Sequence, residues 1–217
     1  MRKRFEDQLN ELNRMINRMG EYLDESLTMT VKALVSRDVQ LAQKSISLDL
    51  TIDELEKEIE TLCLRLLMQQ QPVASDLRIV SSALKIITDM ERVGDHAADI
   101  SENVAYMAKE DYTPHLEDML KMADIVTQMV KDSIRAYVQK NLELAQGVLT
   151  QDDKVDALFL KVKLELIDKM RKDTINGEQA IDLMMNAKYL ERIGDHAENI
   201  AEWVEFTITG IHRNKKA

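Results

Sequence analysis

The sequence of 217 residues has few of the residues that turns and disulfides require. It contains six glycines and two prolines, about 4 % of the chain, where average usage gives roughly 12 %. Folds built from many strands need more turn residues than this, so long helices with short connections are favoured. The single cysteine, Cys63, excludes an internal disulfide framework and a cysteine-based zinc site, and it fits a reducing compartment.

Aromatic side chains and long apolar runs are also scarce. Nine aromatic residues against 13 methionines are typical of aliphatic packing between helices. The longest apolar run, residues 104–108, is too short to span a membrane. The acidic Glu6 and Asp7 follow a basic start, where a signal peptide has an apolar stretch, so we expect a cytoplasmic protein. The net charge of −10 argues against a nucleic-acid partner.

Apolar residues recur at alternating steps of three and four along most of the chain, which predicts helices with one apolar face. We call such an apolar stripe a seam; in the first segment it consists of Phe5, Leu9, Leu12, Ile16, Met19 and Leu23. The clearest seam lies in the third segment, at Ile79, Ala83, Ile86, Met90, Val93, Ala97, Ile100, Val104 and Met107. Breaks in this pattern predict six helices of about 30 residues each. The predicted breaks fall near 36–38, at Gln71-Pro72, at 110–115 with Thr113-Pro114 as helix start, near Asn141, and at Asn176-Gly177. The last three predicted helices span about 115–139, 142–173 and 178–212.

The two halves of the chain repeat each other. Residues 91–102 read ERVGDHAADISE and residues 191–202 read ERIGDHAENIAE, identical at eight of twelve positions. An earlier D-x-x-[IV]-D spacing occurs in both halves, at 49–53 and 152–156. We therefore predict an all-α fold of two tandem antiparallel three-helix bundles, residues 1–109 and 110–217, from one duplicated unit. A single six-helix bundle is the alternative packing.

Acidic residues recur at helical spacing within the repeated motif. The phase of the third helix places Glu91, Asp95 and Asp99 on the face turned away from the core, with successive carboxylates four residues apart. Like charges at this spacing repel, and a hard divalent cation would offset the repulsion through oxygen ligands. Arg92, or lysines of a neighbouring helix, would offset it without a metal.

Other acidic pairs have the same spacing. The second copy of the motif has Asn199 in place of the third carboxylate. The pairs are Glu191 and Asp195, Asp49 and Asp53, and Asp152 and Asp156. The last two pairs lie on the helices that precede the repeated motif, and in an antiparallel hairpin each could approach the E-x-x-x-D pair of its own half. A solvated surface is the ordinary reading of such pairs, but Gly94 and Gly194 lie inside predicted helices, where glycine costs about 1 kcal/mol relative to alanine. Close approach of another helix is the favoured reason for these glycines, and room for a ligand is the second.

The remaining motifs do not indicate an enzyme. His96 and His196 are expected to form hydrogen bonds to a neighbouring helix rather than to ligate a metal. The spacing from Glu91 to His96 is not the Glu-x-x-His of di-iron bundles, and no nucleophile elbow, P-loop or dinucleotide fingerprint occurs. A metal-dependent hydrolase therefore remains only as a less favoured alternative.

The repeated motifs together resemble those of the PhoU family. They are [LM]-E-R-[IV]-G-D-H-A at 90–97 and 190–197, the D-x-x-[IV]-D spacing in each half, and QPVASDLR at 71–78. The resemblance covers the whole chain. It implies a non-enzymatic regulator of bacterial phosphate uptake that represses the phosphate-starvation response. Such a regulator is expected to link the phosphate ABC transporter, through its ATPase subunit, to a membrane sensor histidine kinase; a PhoU-like regulator of another ion transporter is the alternative.

The resemblance also implies metal binding and a homodimer. Family members carry acidic E(D)-x-x-x-D motifs that bind iron clusters or other metal ions. The positions that match are Glu91, Asp95, Asp99, Glu191, Asp195, Asp49, Asp53, Asp152 and Asp156. Carboxylate ligands do not select one ion, so Fe, Zn, Mn and Mg are all candidates. Asn199 departs from the acidic pattern and predicts a weaker second site.

Overall fold

All regular structure in the described part of the chain is helical, as the sequence predicts. The computed structural model describes residues 2–69, 74–108 and 117–212. These residues form seven helices: α1 (Arg2–Ser36), α2 (Val39–Gln69), α3 (Ala74–Met107), α4 (Glu117–Gln139), α5 (Leu142–Leu149), α6 (Asp152–Arg171) and α7 (Gly177–Thr209).

The fifth predicted helix is interrupted, so the prediction of one helix over 142–173 is wrong. The break lies between α5 and α6, where the Thr150 hydroxyl donates a hydrogen bond of 2.8 Å to the carbonyl of Gly147. Asp152 and Asp153 occupy the first turn of α6, where acidic side chains stabilise the positive end of a helix dipole. The hydrogen bond of Thr150 thus stabilises the end of α5, and the acidic first turn stabilises the start of α6.

Asparagine side chains begin two of the helices where the sequence predicts breaks. The side-chain oxygen of Asn141 accepts a hydrogen bond of 3.0 Å from the backbone N–H of Leu144. Asn176 accepts one of 2.7 Å from the N–H of Gln179. Each bond satisfies a backbone donor that the first helical turn leaves unpaired. The predicted breaks at 71–72 and 113–114 lie outside the described residues.

The helices form two bundles side by side, α1 to α3 and α4 to α7. The predicted seam of α1 is buried, with Leu12, Ile16 and Met19 inaccessible to solvent. α3 packs against α7 and α1 against α4, so that one continuous apolar core joins the two bundles. The limits 1–109 and 110–217 stay a prediction, because the boundary between them lies in residues that are not described.

The glycine of the repeated motif allows close packing in the first repeat. A Cβ atom on Gly94 would lie 3.1 Å from Oδ1 of Asp49 and 3.3 Å from the side chain of Ile52, both on α2. Close approach of another helix is therefore confirmed as the reason for this glycine. A Cβ atom on Gly194 would lie 3.4 Å from Val155, an ordinary contact, so the second repeat is packed less tightly at this point.

Alanine at these two glycines should separate helix propensity from packing. Gly194→Ala should raise the free energy of unfolding by about 0.5–1 kcal/mol, because alanine favours the helix and meets no crowded neighbour. Gly94→Ala should raise the free energy of unfolding by less than Gly194→Ala does, or should lower it, since α2 must move away from α3. Urea unfolding of both variants measures the difference, and equal gains would contradict the packing explanation.

A candidate metal centre between the second and third helices

Three carboxylates from two helices converge beside Gly94. Asp49 and Asp53 lie one turn apart on α2, and Asp95 follows Gly94 on α3. One oxygen atom from each of the three side chains lies within 4.8 Å of the other two. The missing side chain of Gly94 lets Asp49 approach α3, so the packing glycine and the carboxylate cluster belong to one local arrangement.

The acidic face of α3 is not the outer surface that its helical phase predicts. Glu91, Asp95 and Asp99 are each half-buried. α3 contacts α1, α2 and α7, so neighbouring helices lie on several of its sides. The expected approach of the Asp49 and Asp53 pair to the acidic pair of the third helix is confirmed for Asp95, and the acidic face is less exposed than its helical phase predicts.

Burial makes the clustered negative charge unfavourable. Burial is the largest contribution that raises the pKa of Asp49 to about 6, and the negative charges of Asp95 and Asp53 are the next largest. Burial, and then Asp95, likewise raises the pKa of Glu91. The Oδ1 atoms of Asp49 and Asp53 are buried and form no hydrogen bond within the described residues. Buried acceptors without donors are rare in proteins, and hard divalent cations prefer such oxygen ligands.

Arg92 compensates only part of this negative charge. Its Nη1 atom lies 2.6 Å from Oδ2 of Asp95, and its Nε atom lies 3.3 Å from Oε2 of Glu91. Asp99 points to a different partner, with its Oδ2 atom 3.3 Å from Nδ1 of His96. Arg92 thus pairs with residues of its own helix, and within the described residues neither Asp49 nor Asp53 forms an ion pair.

The second repeat places its acidic residues differently. Lys188 forms an ion pair with Glu191 and lowers the local negative charge. Burial, followed by the charge of Glu191, raises the pKa of both Asp156 and Asp195. Asp152 and Asp156 lie on α6 beside these α7 residues, but the described residues contain no second trio of carboxylates as close as the first. Each repeat thus has one cation paired within its own helix, Arg92 in the first and Lys188 in the second, but among the described residues only the first has a carboxylate trio.

The two histidines lie where the repeats meet, between α3 and α7, with ring centroids 5.6 Å apart. Nδ1 of His196 lies 2.8 Å from Oδ1 of Asp89, which also accepts a hydrogen bond of 3.3 Å from Asn199. The expected hydrogen bond to a neighbouring helix is confirmed for His196. The hydrogen bond of His96, in contrast, is to Asp99 on its own helix. Sequence reasoning missed Asp89, although it lies only two residues before the repeated motif.

Comparison with known proteins relates the whole chain to one family. The family model described as PhoU domain matches residues 16–104 and again 119–204. The chain belongs to the PhoU family. The chain is 39 % identical over 210 residues to the "phosphate-specific transport system accessory protein PhoU homolog" of Clostridium acetobutylicum, covering 96 % of each chain. The PhoU homolog of Rhizobium meliloti is 33 % identical, covering 95 % of this chain and 87 % of that protein.

Two solved PhoU structures have the same fold. The crystal structure of PhoU from Pseudomonas aeruginosa aligns with a TM-score of 0.92 at 30 % identity, covering 95 % of this chain and 100 % of that one. The phosphate transport system regulatory protein PhoU from Streptococcus pneumoniae aligns with a TM-score of 0.89 at 27 % identity, covering 97 % and 100 %.

PhoU relatives are named as accessory and regulatory proteins of a transport system, not as enzymes. The prediction of a non-enzymatic protein is therefore confirmed, and the hydrolase alternative is set aside. None of the helices that the structure describes has a stretch long and apolar enough to cross a membrane.

The stability of the metal-free protein should depend on the protonation of Asp49. Unfolding returns its pKa from about 6 to the ordinary value of about 4. The folded state therefore keeps a proton that the unfolded state loses, and this contribution to stability disappears as the pH rises through about 6. Asp49→Asn should abolish that decline and raise the free energy of unfolding at pH 7 by about 0.2–1 kcal/mol.

Urea unfolding between pH 4 and pH 8 in the presence of a chelator tests this expectation. Glu58→Gln is the matched control, because it removes an exposed carboxylate from the same helix. If the Asp49→Asn protein kept the full decline in stability between pH 4 and pH 7, another group would be responsible.

Proposed function

We propose that the protein regulates bacterial phosphate uptake and represses the phosphate-starvation response when phosphate is plentiful. The observation that carries this proposal is similarity along nearly the whole chain to phosphate-specific transport accessory proteins, in both sequence and fold. The family model matches both repeats, which supports the same role for the two halves together.

An adaptor is the form of regulation that we propose. The protein would act in the cytoplasm, as a homodimer, between the ATPase subunit of the phosphate ABC transporter and a membrane sensor histidine kinase. Two features support docking rather than catalysis: long helices offer extended surfaces, and the net charge of −10 provides an acidic surface that would attract basic patches on a partner.

A bound metal ion is the second element of the proposal. Asp49, Asp53 and Asp95 would hold it, because one oxygen of each converges and the buried Oδ1 atoms of Asp49 and Asp53 form no hydrogen bond within the described residues. When bound, the ion would supply positive charge that stabilises the packing of α2 on α3. Fe, Zn, Mn and Mg all remain candidates. The other proposed ligands lie nearby in the first repeat or at the second, weaker site: Glu91, Asp99, Glu191, Asp195, Asp152 and Asp156.

Metal content should depend mainly on the first repeat. The variant Asp49→Asn/Asp53→Asn/Asp95→Asn should lose its bound metal, since it removes all three converging carboxylates. The matched variant Asp152→Asn/Asp156→Asn/Asp195→Asn should keep most of the metal, because among the described residues the second repeat has no carboxylate trio as close as that of the first. Elemental analysis of both purified proteins gives the stoichiometry, and circular dichroism checks that each remains helical. Equal metal content in the two variants would contradict the assignment to the first repeat.

Regulation can be tested in a phosphate-replete bacterium that lacks its own PhoU protein. Expression of this chain should restore repression of a phosphate-starvation reporter gene, and the chain should co-purify with the transporter ATPase. The triple variant of the first repeat should reduce repression while leaving protein abundance unchanged. The chain could instead fail to repress the reporter gene although it is intact and abundant, and could co-purify with another ion transporter. That result would favour the alternative, a PhoU-like regulator of another ion transporter.

A further inference from the structure

An open cleft separates α4 from α5 at a distance from the carboxylate cluster. Its volume is about 360 Å³, which lies in the range of small-molecule sites. The floor is apolar and consists of Ile125, Met129, Leu144 and Val148. Two amide side chains, Gln128 and Gln151, also line it, and Gln151 occupies the break between α5 and α6. The cleft therefore combines an apolar surface with a few polar groups.

A carboxylate lies toward each end of the part of α4 that lines this cleft. Asp132 already has partners: Oδ2 accepts a hydrogen bond of 2.8 Å from Gln128, and Oδ1 lies 3.2 Å from Arg135. Asp124 lies eight residues earlier, about 12 Å along the helix axis, and is exposed. Within the described residues it forms neither an ion pair nor a hydrogen bond. The cleft therefore presents one unpaired negative charge beside an apolar floor.

Gly147 keeps the cleft open on the side of α5. It lies inside the helix, where glycine is less stable than alanine, and a Cβ atom at this position would meet no atom within 4 Å. Packing within this chain therefore does not require glycine there, unlike at Gly94. Because Gly147 lines the cleft, a larger side chain would take up part of its volume.

We propose that this cleft binds a cationic group carried on a flexible aliphatic stem. The cation would pair with Asp124, and the methylene groups would cover the apolar floor. An anion would be repelled by Asp124, and a bare metal ion would make no use of the apolar residues. The same chemistry is available in a free polyamine and in a lysine side chain of a bound protein.

Methyl NMR of the intact, chelator-treated protein tests the proposal with spermidine as the probe. Saturable shifts should appear at the methyl groups of Met129 and Ile125. Asp124→Asn should weaken binding at least tenfold, because it removes the unpaired charge, and Gly147→Leu should abolish the saturable shifts by filling the cleft. Glu58→Gln, which removes an exposed charge elsewhere, should leave the affinity within twofold.

Gly177→Leu is the control for the glycine substitution. A Cβ atom at Gly177 also meets nothing within 4 Å, but this residue lies outside the cleft, so binding should be unchanged. The second probe is a lysine residue blocked at both its amino and carboxyl ends. If it binds with an affinity comparable to that of spermidine, a lysine side chain of a bound protein is the natural ligand. If spermidine binds at least tenfold more tightly, the ligand is a free polyamine. Failure of both probes to shift Met129 and Ile125, or equal binding by wild type and Gly147→Leu, would overturn the proposal.

Discussion

The close packing of α2 on α3 is the constraint on which the candidate metal centre depends. Gly94 removes the side chain that would separate the two helices, and Asp49 takes the space beside it. The same packing brings Asp53 and Asp95 close to Asp49, and burial raises the pKa of Asp49. Apolar packing elsewhere in the continuous core holds the helices in this position, so the core stabilises an arrangement of charge that is unfavourable by itself.

The two repeats share one helical framework but differ in the partners of their carboxylates. Beside Gly94 in the first repeat, the Oδ1 atoms of Asp49 and Asp53 have no hydrogen-bond donor among the described residues, whereas near Gly194 in the second repeat Lys188 pairs with Glu191 and the packing is looser. Between the repeats, His196 and Asn199 of one half bind Asp89 of the other. After duplication, identical scaffold positions can thus keep the fold while the polar residues between them acquire separate functions.

Much of the helical architecture follows from local properties of the sequence. The seam that includes Leu12, Ile16 and Met19 is buried, and Asn141 and Asn176 begin helices because their side chains accept hydrogen bonds from the first turn. The interruption between α5 and α6 was not apparent from periodicity. An apolar pattern continues across the break, and the turn is closed by the Thr150 hydroxyl, by backbone hydrogen bonds to Gly147 and Val148, and by the acidic start of α6.

The sequence alone determined the all-α class, the duplication and the acidic residues available to a metal, because periodicity and spacing are properties of each helix. Only the tertiary structure decided which of these residues converge. Of the acidic pair on α3, it brings Asp95 together with Asp49 and Asp53, because the phase of one helix does not reveal which side chains of its neighbour reach it. The Lys188–Glu191 ion pair lies within α7, three residues apart, whereas the carboxylate trio is a contact between two helices that the spacing within either helix does not define.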